Sequence, residues 1–351
     1  MRVVSGAVLK EVLSMASSLV GIDIGTNLIK LAVCQKGRIT GLYSEPVPDD
    51  LVRDGQIISY EAMSDFLKEV FKKHRITEKR CSVIIADELV YVRYISMPYM
   101  KPEQLKINLP YEFHDFISED KNKYVFDYAF INVKEGGDDS AGELELMAAA
   151  AKKSVIADYA ESLKHAGLKL AAAVPYVMTY SNIIREAESR ITEVENNGVV
   201  REYCFVDIGH TSCRINIFVG RKLVATRVIE YGLNMLDSAI AEAEGVDIHI
   251  ARTRKESDFN GVLSSETCVN VYNAIAIEIM RAINFYRFNN QESLLAEAFI
   301  CGGGGKIAPL MDVISANTDL AVIPVESLTD CPKEFIKDAE LFTCAIGAAR
   351  Q

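Results

Sequence analysis

The sequence predicts an α/β protein of two related lobes. The chain has 351 residues, more than one domain usually contains, which favours two lobes or several subdomains. An apolar strand ending in Asp-Ile-Gly, followed by a second strand, occurs once near the N-terminus and again about 184 residues later. Apolar residues at helical spacing fill much of the chain between and after these two copies.

The two copies of this pattern match position by position. The first covers residues 19–40 and the second residues 204–227. In each copy, a short polar turn follows Asp-Ile-Gly, and the second strand leads to a hairpin centred on glycine. The matched pairs are Asp23 with Asp207, Gly25 with Gly209, and Lys30 with Arg214. Because the pattern occurs only twice and at a long interval, it indicates two related lobes rather than an array of repeats.

Periodicity and turn residues predict the elements of the first half. In chain order, they are a helix over 60–74, strands over 81–86 and 89–97, a helix over 101–114 broken at Pro110, strands over 124–133 and 144–151 around a turn at 136–140, and a helix over 153–166 capped by Gly167. The segment 97–167 reads as a compact insertion into the first lobe.

The second half continues with a polar turn and then mostly helices. The predicted elements are a turn at 191–198, helices over 233–243, 247–255 and 267–288, a short strand over 298–301, a glycine run at 302–305, and helices over 307–314 and 341–350. The predicted domains are a first lobe of 19–96 completed by 168–197 and 340–351, the insertion 97–167, and a second lobe of 198–339 with a subdomain near 236–295.

Composition excludes several classes of function. A net charge of −11 and a pI near 5.1 argue against binding of nucleic acid or anionic lipid by long-range electrostatic attraction. The eight cysteines show no C-x-x-C spacing, so we expect buried thiols in a reducing cytosol. Lys10 and Glu11 interrupt the N-terminal apolar stretch, and no other run reaches the roughly 18 apolar residues of a membrane span. A soluble cytoplasmic protein is predicted, which only a partner would bring to a membrane.

The Asp-Ile-Gly turns suit the binding of a phosphate with its metal. Successive backbone N–H groups at a glycine turn can converge on an anion. A carboxylate beside such a turn supplies the oxygen ligand that Mg²⁺ prefers, which points to Asp23 and Asp207 as metal ligands. A strand that simply ends in a turn is the alternative for either copy. The run Gly302–Gly305, between a buried strand and a helix, would let a ligand pack against bare backbone.

Four motifs together carry a resemblance to a known superfamily. They are Asp23-Ile24-Gly25-Thr26, Asp207-Ile208-Gly209-His210-Thr211, Ile300-Cys301-Gly302-Gly303-Gly304 and Ala345-Ile346-Gly347. In this order they resemble the phosphate-1, phosphate-2, adenosine and connect-2 motifs of the actin-like ATPases. The resemblance implies two RNase H-like lobes around a cleft that binds ATP with Mg²⁺.

Finer detail resembles one branch of that superfamily, the PilM family of type IV pilus assembly proteins related to FtsA. It lies in Arg53-Asp54-Gly55-Gln56-Ile57, Val92-Arg93-Tyr94-Ile95-Ser96-Met97-Pro98, Asp127-Tyr128, His165-Ala166-Gly167-Leu168, and Glu278-Ile279-Met280-Arg281 leading to Phe285-Tyr286. The insertion resembles in position the 1C subdomain that FtsA and PilM share.

The resemblance also implies roles for individual residues. Asp23 and Asp207 would organise Mg²⁺, Lys30 would approach the β- or γ-phosphate, and Gly303 and Gly304 would face the adenosine. Lys255 matches a lysine near the ribose and base, with a solvated lysine on a helix surface as the alternative. Residues expected to hold phosphates are Gly25, Thr26, Asn27, Gly209, His210, Thr211 and Ser212, and Gly302 and Gly347 complete the expected nucleotide-binding set.

Two departures from the family pattern bear on turnover. Arg252 stands where the family has an acid before the lysine, and segment 171–180 has neither an acid nor a glutamine to order an attacking water. His210 is the one candidate for that role. The sequence therefore predicts ATP binding with weak or absent hydrolysis and leaves the catalytic residues unknown. The pair Glu278 and Arg281 is expected to be an exposed ion pair.

The family resemblance implies an assembly scaffold whose partner is the cytoplasmic N-terminal tail of a PilN-like inner-membrane protein, docked between the first lobe and the insertion. One alternative is an FtsA-like division protein, but that family ends in an amphipathic helix, and this sequence ends at Gln351, shortly after Gly347. The other alternative is a small-molecule kinase, which would need an aspartate or glutamate as its catalytic base, and the sequence does not offer one in the expected segment. Filament formation, homo-oligomerisation, and a pilus, competence or secretion role stay open.

Overall fold

The structure is a computed structural model that describes residues 18–53, 55–134, 142–190 and 200–350. The turns expected at 136–140 and 191–198 lie outside these residues, as does most of the N-terminal apolar stretch. The chain divides into two compact units, one formed by residues up to 182 together with those from 344 onward, and the other by residues 183–343.

Most strands and helices lie close to their predicted bounds, whereas the strands Lys169–Pro175 and Ala321–Pro324 and the helix Tyr176–Glu188 were not predicted. The strands are β1 (Leu19–Ile24), β2 (Leu28–Gln35), β3 (Arg38–Pro46), β4 (Val52–Arg53), β5 (Gln56–Ile57), β6 (Arg80–Ile85), β7 (Val90–Pro98), β8 (Tyr124–Lys134), β9 (Glu143–Lys152), β10 (Lys169–Pro175), β11 (Glu202–Ile208), β12 (Cys213–Val219), β13 (Lys222–Ile229), β14 (Glu297–Cys301) and β15 (Ala321–Pro324). The helices are α1 (Tyr60–Lys73), α2 (Pro102–Asn108), α3 (Lys153–His165), α4 (Tyr176–Glu188), α5 (Asn234–Glu244), α6 (Ile248–Glu256), α7 (Glu266–Asn289), α8 (Ala308–Thr318) and α9 (Ala339–Ala349).

Each unit contains a five-stranded sheet of the same topology. The first has the order β10-β6-β1-β2-β3 and the second the order β13-β12-β11-β14-β15. In the first sheet, β1 and β2 pair antiparallel, as do β2 and β3, whereas β6 runs parallel to both β1 and β10. The corresponding strands of the second sheet pair in the same senses. The repeated sequence pattern is therefore a duplicated sheet.

The core of the first sheet is covered by helices α1 and α3. Helix α1 begins after Ser59, whose hydroxyl accepts a hydrogen bond from the Ala62 N–H at 3.2 Å, and it buries one apolar face against the sheet. Tyr159 and Leu163 of α3 belong to the same core. Each large apolar side chain removed from water here contributes about 1.5–3 kcal/mol, so the buried stripe of α1 fixes the helix on the sheet.

The inserted segment folds around a small core of its own. Strands β7, β9 and β8 form an antiparallel sheet in that order, and we call residues 90–152 the insert subdomain. Leu105, Leu109 and Phe113 pack on this sheet. The predicted break at Pro110 is confirmed, since α2 ends at Asn108 and a 3₁₀ turn, Leu109–Phe113, follows. The separate core ends before α3, which packs on the first sheet instead.

The second sheet is covered by α5, α6, α7 and α8 over one large apolar core. Helix α7 is the longest of the described helices, and the hydroxyl of Ser265 caps its N-terminus. On its outer side Arg281 and Glu278 form the expected exposed ion pair. All eight cysteines lie within the described residues, and all are buried thiols. Among the described helices, none is both long and apolar enough to cross a bilayer.

Candidate functional site

The two Asp-Ile-Gly turns have the same backbone geometry. Gly25 N donates to the carbonyl of Leu28 at 3.1 Å, and Gly209 N donates to that of Ser212 at 2.9 Å. A Cβ at either glycine would lie only 2.9 Å or 3.0 Å from that acceptor oxygen, so a side chain would push the turn open. Thr26, Asn27, His210, Thr211 and Ser212 form the tips of the turns and are partly or fully exposed.

Asp23 is a buried carboxylate with a donor on each oxygen. It stands directly opposite Lys30 across the β1–β2 pair, and Lys30 Nζ donates to its Oδ2 at 2.9 Å. The hydroxyl of Tyr176, at the start of α4, donates to its Oδ1 at 2.9 Å. Only 4% of the Asp23 side chain is exposed, and burial of a carboxylate is unfavourable unless hydrogen-bonded partners of this kind accompany it.

Asp207 occupies the matching position in the second sheet, directly opposite Arg214. Its Oδ1 lies against the glycine run, where a Cβ at Gly302 would come within 2.4 Å of it. Gly302 also has a φ of +77°, which only glycine adopts at low cost. The side chain at this position is therefore excluded both by the carboxylate and by the backbone conformation.

The rest of the glycine run is packed by protein atoms. A Cβ at Gly304 would lie 2.5 Å from the Ile208 side chain, and one at Gly303 would lie 3.0 Å from that of Leu233. Gly302 N donates to the carbonyl of Glu340 at 2.8 Å, which ties the run to the start of α9. Tight packing thus explains these glycines without a ligand, and their contact with adenosine stays a prediction.

Lys255 is buried and ion-paired, so the alternative of a solvated surface lysine is wrong. Its Nζ lies 2.6 Å from Oδ1 of Asp237, a carboxylate of α5 that is only 1% exposed. Arg252 Nε lies 3.4 Å from the other oxygen of Asp237. Burial lowers the pKa of the nearby His210 below 6.5; the two cations lower it further, against the opposing effect of Asp237. His210 is therefore neutral at neutral pH.

Gly347 allows two helices to approach closely. On α9, a Cβ at this position would lie 2.2 Å from the carbonyl oxygen of Thr179 on α4. Asn182 Nδ2 donates to the Gly347 carbonyl at 3.0 Å. The glycine is required by this packing, and a role for it in nucleotide binding stays a prediction.

A family model described as type IV pilus assembly protein PilM matches residues 21–343. The chain belongs to the PilM family. This confirms the family resemblance that the four motifs and the finer matches indicate.

Solved structures show the fold of this PilM-family chain. A PilM–PilN type IV pilus biogenesis complex is 21% identical with a TM-score of 0.72, and the match covers 95% of this chain and 98% of that one. Ethanolamine utilization protein EutJ from Carboxydothermus hydrogenoformans is 15% identical over 95% and 89% of the two chains, with a TM-score of 0.59. MreB 5 of Spiroplasma citri bound to AMPPNP is 13% identical over 94% of both chains, with a TM-score of 0.51. The chain has the actin-like ATPase fold.

Within each unit, the fold brings together several of the residues expected from the PilM resemblance. Asp23, Gly25, Thr26, Asn27 and Lys30 lie at one end of the first sheet. In the second unit, Asp207 and Gly302 are in contact, and His210 lies within electrostatic range of Lys255. The nucleotide and metal roles of all these residues stay predictions.

Sequence reasoning missed two residues of these clusters, Tyr176 and Asp237. Asp237 interrupts the apolar face that Leu233, Leu236 and Ile240 give to α5, and an acid on such a face was a signal for a buried ion pair. Tyr176 follows directly on a proline at the end of β10, and nothing local marks it as a partner of Asp23, which precedes it by 153 residues.

Proposed function

We propose that this PilM-family chain is an ATP-binding cytoplasmic scaffold of the inner-membrane complex of a type IV pilus or a related system, which binds the cytoplasmic tail of a PilN-like membrane protein. The observation that carries the proposal is the family match over nearly the whole chain. The close structural likeness to a PilM–PilN complex supports the partner.

The two hairpins support nucleotide binding. A Cβ at either hairpin glycine would crowd the backbone of its turn, so both turns keep the tight bend that lets a phosphate approach the backbone. Gly25, Thr26, Asn27 and Lys30 of the first unit, and Gly209, His210, Thr211 and Ser212 of the second, would hold phosphates. A nucleotide-bound MreB with the same fold agrees with this assignment.

The oxygen donors present also suit a magnesium ion. Asp23 and Asp207 are the carboxylates that would hold it, and carboxylate with water is the set that Mg²⁺ prefers. Bound there, the ion would neutralise phosphate charge. Asp23 is held by Lys30 and Tyr176 and is therefore fixed in orientation.

Weak or absent hydrolysis is part of the proposal. Phosphoryl transfer to water needs a group that orients the nucleophile. Segment 171–180 offers hydroxyl groups but no carboxylate, and the hydroxyl of Thr179 donates to the carbonyl of Tyr176 at 2.7 Å. Since the lowered pKa of His210 makes it a neutral imidazole, its ability to accept a proton is modest.

The insert subdomain is the proposed docking element for the partner, and we interpret it as a 1C-type insertion. It carries a concentration of exposed apolar side chains, and such patches mark interaction surfaces on soluble proteins. These residues are Tyr91, Tyr99, Ile107, Tyr111, Phe116, Val125, Phe130 and Val133. The chain is acidic, so a basic tail would be favoured. Binding to a membrane-anchored tail would recruit the protein to the inner face of the plasma membrane.

Calorimetric titration tests the proposal directly. The purified chain is titrated with Mg-ATP, with and without a synthetic peptide of a PilN-like cytoplasmic tail, and phosphate release is measured on the same sample. We expect both ligands to bind with little phosphate release. Rapid turnover without peptide binding would instead support an enzyme, and absence of nucleotide binding would remove the ATP part of the proposal.

A further inference from the structure

Tyr176 lies at the carboxyl ends of three parallel strands. Ile22 of β1, Val83 of β6 and Ala173 of β10 stand in one row across the first sheet. Asp23 comes one residue after this row on β1, and Tyr176 comes three residues after it, beyond the end of β10. Because the carboxyl ends of parallel strands meet at one edge, the phenol reaches across β6 to the carboxylate.

The Asp23 carboxylate therefore has two donors of different kinds. Lys30 Nζ on Oδ2 is charged and sits on a flexible side chain that is 17% exposed, whereas the Tyr176 hydroxyl on Oδ1 is neutral and fixed to the first residue of a helix. Removing every partner from a carboxylate this deeply buried would leave an uncompensated charge, which is strongly unfavourable. The carboxylate must therefore keep at least one of its two donors at all times.

We propose that Tyr176 is a positioning residue that holds the buried Asp23 carboxylate when Lys30 turns to the phosphates of the nucleotide. This inference rests on the nucleotide site of the proposed function. The phenol bond is present before the nucleotide arrives, and once Lys30 has turned to the phosphates it is the contact that still fixes the orientation of Asp23. Loss of the hydroxyl should therefore weaken nucleotide binding beyond any effect on the fold.

The second unit provides an internal comparison. Strand β15 is the counterpart of β10 in the second sheet, since each is the edge strand on the parallel side, and it also ends in a proline, Pro324. The next residue is Val325, which is fully buried and has no donor group in its side chain. The phenol is therefore not part of the duplicated pattern. It occurs in the first unit, where the residue opposite the carboxylate is Lys30, and not in the second, where that residue is Arg214.

The first test compares two phenylalanine variants of the same helix. Tyr176→Phe keeps the ring and removes the donor to Asp23, whereas Tyr180→Phe, the control, removes a buried hydroxyl that accepts from Cys344 Sγ at 3.3 Å. We expect Tyr176→Phe to weaken Mg-ATP binding about tenfold in calorimetry, as loss of a hydrogen bond to a charged group predicts. Tyr180→Phe should bind ATP like the unmodified chain, even where its melting temperature falls.

The second test measures coupling between the hydroxyl and the carboxylate without any ligand. The denaturation midpoints of the unmodified chain, Tyr176→Phe, Asp23→Asn and the double variant form a double-mutant cycle. Tyr176→Phe should lower the midpoint in the unmodified background and lower it much less in the Asp23→Asn background, since the amide carries no charge to hold. Equal effects in both backgrounds would overturn the proposed contact.

The outcomes separate this inference from the proposed function. If the unmodified chain binds Mg-ATP and Tyr176→Phe binds equally well or more tightly, the positioning role is overturned while nucleotide binding stands. If the unmodified chain binds no nucleotide, the proposed function fails in that part and the inference fails with it. Equal losses of affinity in the Tyr176→Phe and Tyr180→Phe variants would show a merely structural effect.

Discussion

One carboxylate stands at the matching turn of each unit, and the surroundings of the two differ. Asp23 is enclosed by a lysine and a phenol, whereas Asp207 lies against the bare backbone of Gly302. A third acid, Asp237, balances Lys255 in the second unit. Because the three carboxylates have different neighbours, we expect single substitutions to have distinct and separable effects.

Asp207→Ala is expected to weaken Mg-ATP binding by about 2–3 kcal/mol, because it removes a metal-ordering charge in a partly desolvated site. Calorimetric titration with Mg-ATP measures the change. Asp312→Ala, which removes an exposed carboxylate from α8 of the same unit, is the matched control and should bind normally. Unchanged nucleotide affinity in the Asp207 variant would remove this residue from the site.

Glu45 makes the free energy of unfolding depend on pH in the acidic range. Lys73 Nζ lies 2.7 Å and His74 Nε2 2.6 Å from its carboxylate, which joins β3 to the end of α1. Burial raises the pKa of Glu45, but the hydrogen bonds and charges of Lys73 and His74 outweigh it, so the folded-state pKa lies below 4.5. The contribution is therefore complete above pH 4.5 and is lost as the pH falls through the folded-state pKa.

Glu45→Gln should lower the free energy of unfolding by about 1 kcal/mol at neutral pH. The difference from the unmodified chain should shrink as the pH falls below 4.5. Urea denaturation at a series of pH values measures it. A difference that stays constant down to strongly acidic pH would show that the carboxylate charge does not carry the effect.

At the scale of elements, the insert subdomain is the part with the most independent architecture. It has its own three-stranded sheet and its own apolar core, and it joins the first unit through β7 and β9. Val90 and Ala151 face each other directly in the register of these two strands. The two ends of the subdomain therefore lie side by side, and a short linker can close the gap.

Replacement of residues 91–150 by a short Gly-Ser linker is expected to abolish binding of the PilN-like peptide and to leave Mg-ATP affinity unchanged. The physical reason is that the exposed apolar side chains leave with the subdomain, whereas the core of the first sheet, including α3, remains. Calorimetry with each ligand checks both statements. Phe285→Ser with Phe288→Ser, which removes exposed apolar surface from α7, is the control and should keep peptide binding. Loss of both ligands on excision would mean that the first sheet needs the subdomain in order to bind nucleotide.

At the scale of the whole molecule, the eight cysteines are distributed over both units and all are buried. Burial raises the pKa of Cys81, Cys204 and Cys213 to about 12, so these thiols are almost entirely protonated at neutral pH. Buried protonated thiols are poor nucleophiles. Their rate of reaction with a thiol reagent therefore measures how often the fold opens.

Ellman's reagent should therefore react slowly with the folded chain and rapidly with all eight thiols after denaturation in guanidinium chloride. Absorbance of the released thiolate gives the number of reacting groups over time. Mg-ATP should slow the reaction of the folded chain further, if nucleotide binding suppresses local opening. Rapid reaction of several thiols without denaturant would contradict the buried positions described here.

The sequence by itself determined the two related lobes, the positions of most strands and helices, and the family. These features are written in local patterns, since alternation, helical spacing, glycine turns and a proline break depend on neighbouring residues. The matching positions of Asp23 and Asp207 near the ends of their strands were predictable for the same reason, because both belong to a repeated motif. The break at Pro110 followed from the missing N–H of proline alone.

Only the tertiary structure decided which distant residues meet. Tyr176 donates a hydrogen bond to Asp23, and Asp237 forms an ion pair with the buried Lys255. Helix α3 packs on the first sheet rather than on the insert subdomain. Apart from the acid that Asp237 places on an apolar helix face, the sequence gives no local sign of these contacts, because they depend on strand order and helix packing. The glycine run shows the same division. Its pattern indicated a ligand, whereas a Cβ at Gly302 or Gly304 would clash with Asp207 or Ile208, so the folded chain itself requires those two glycines.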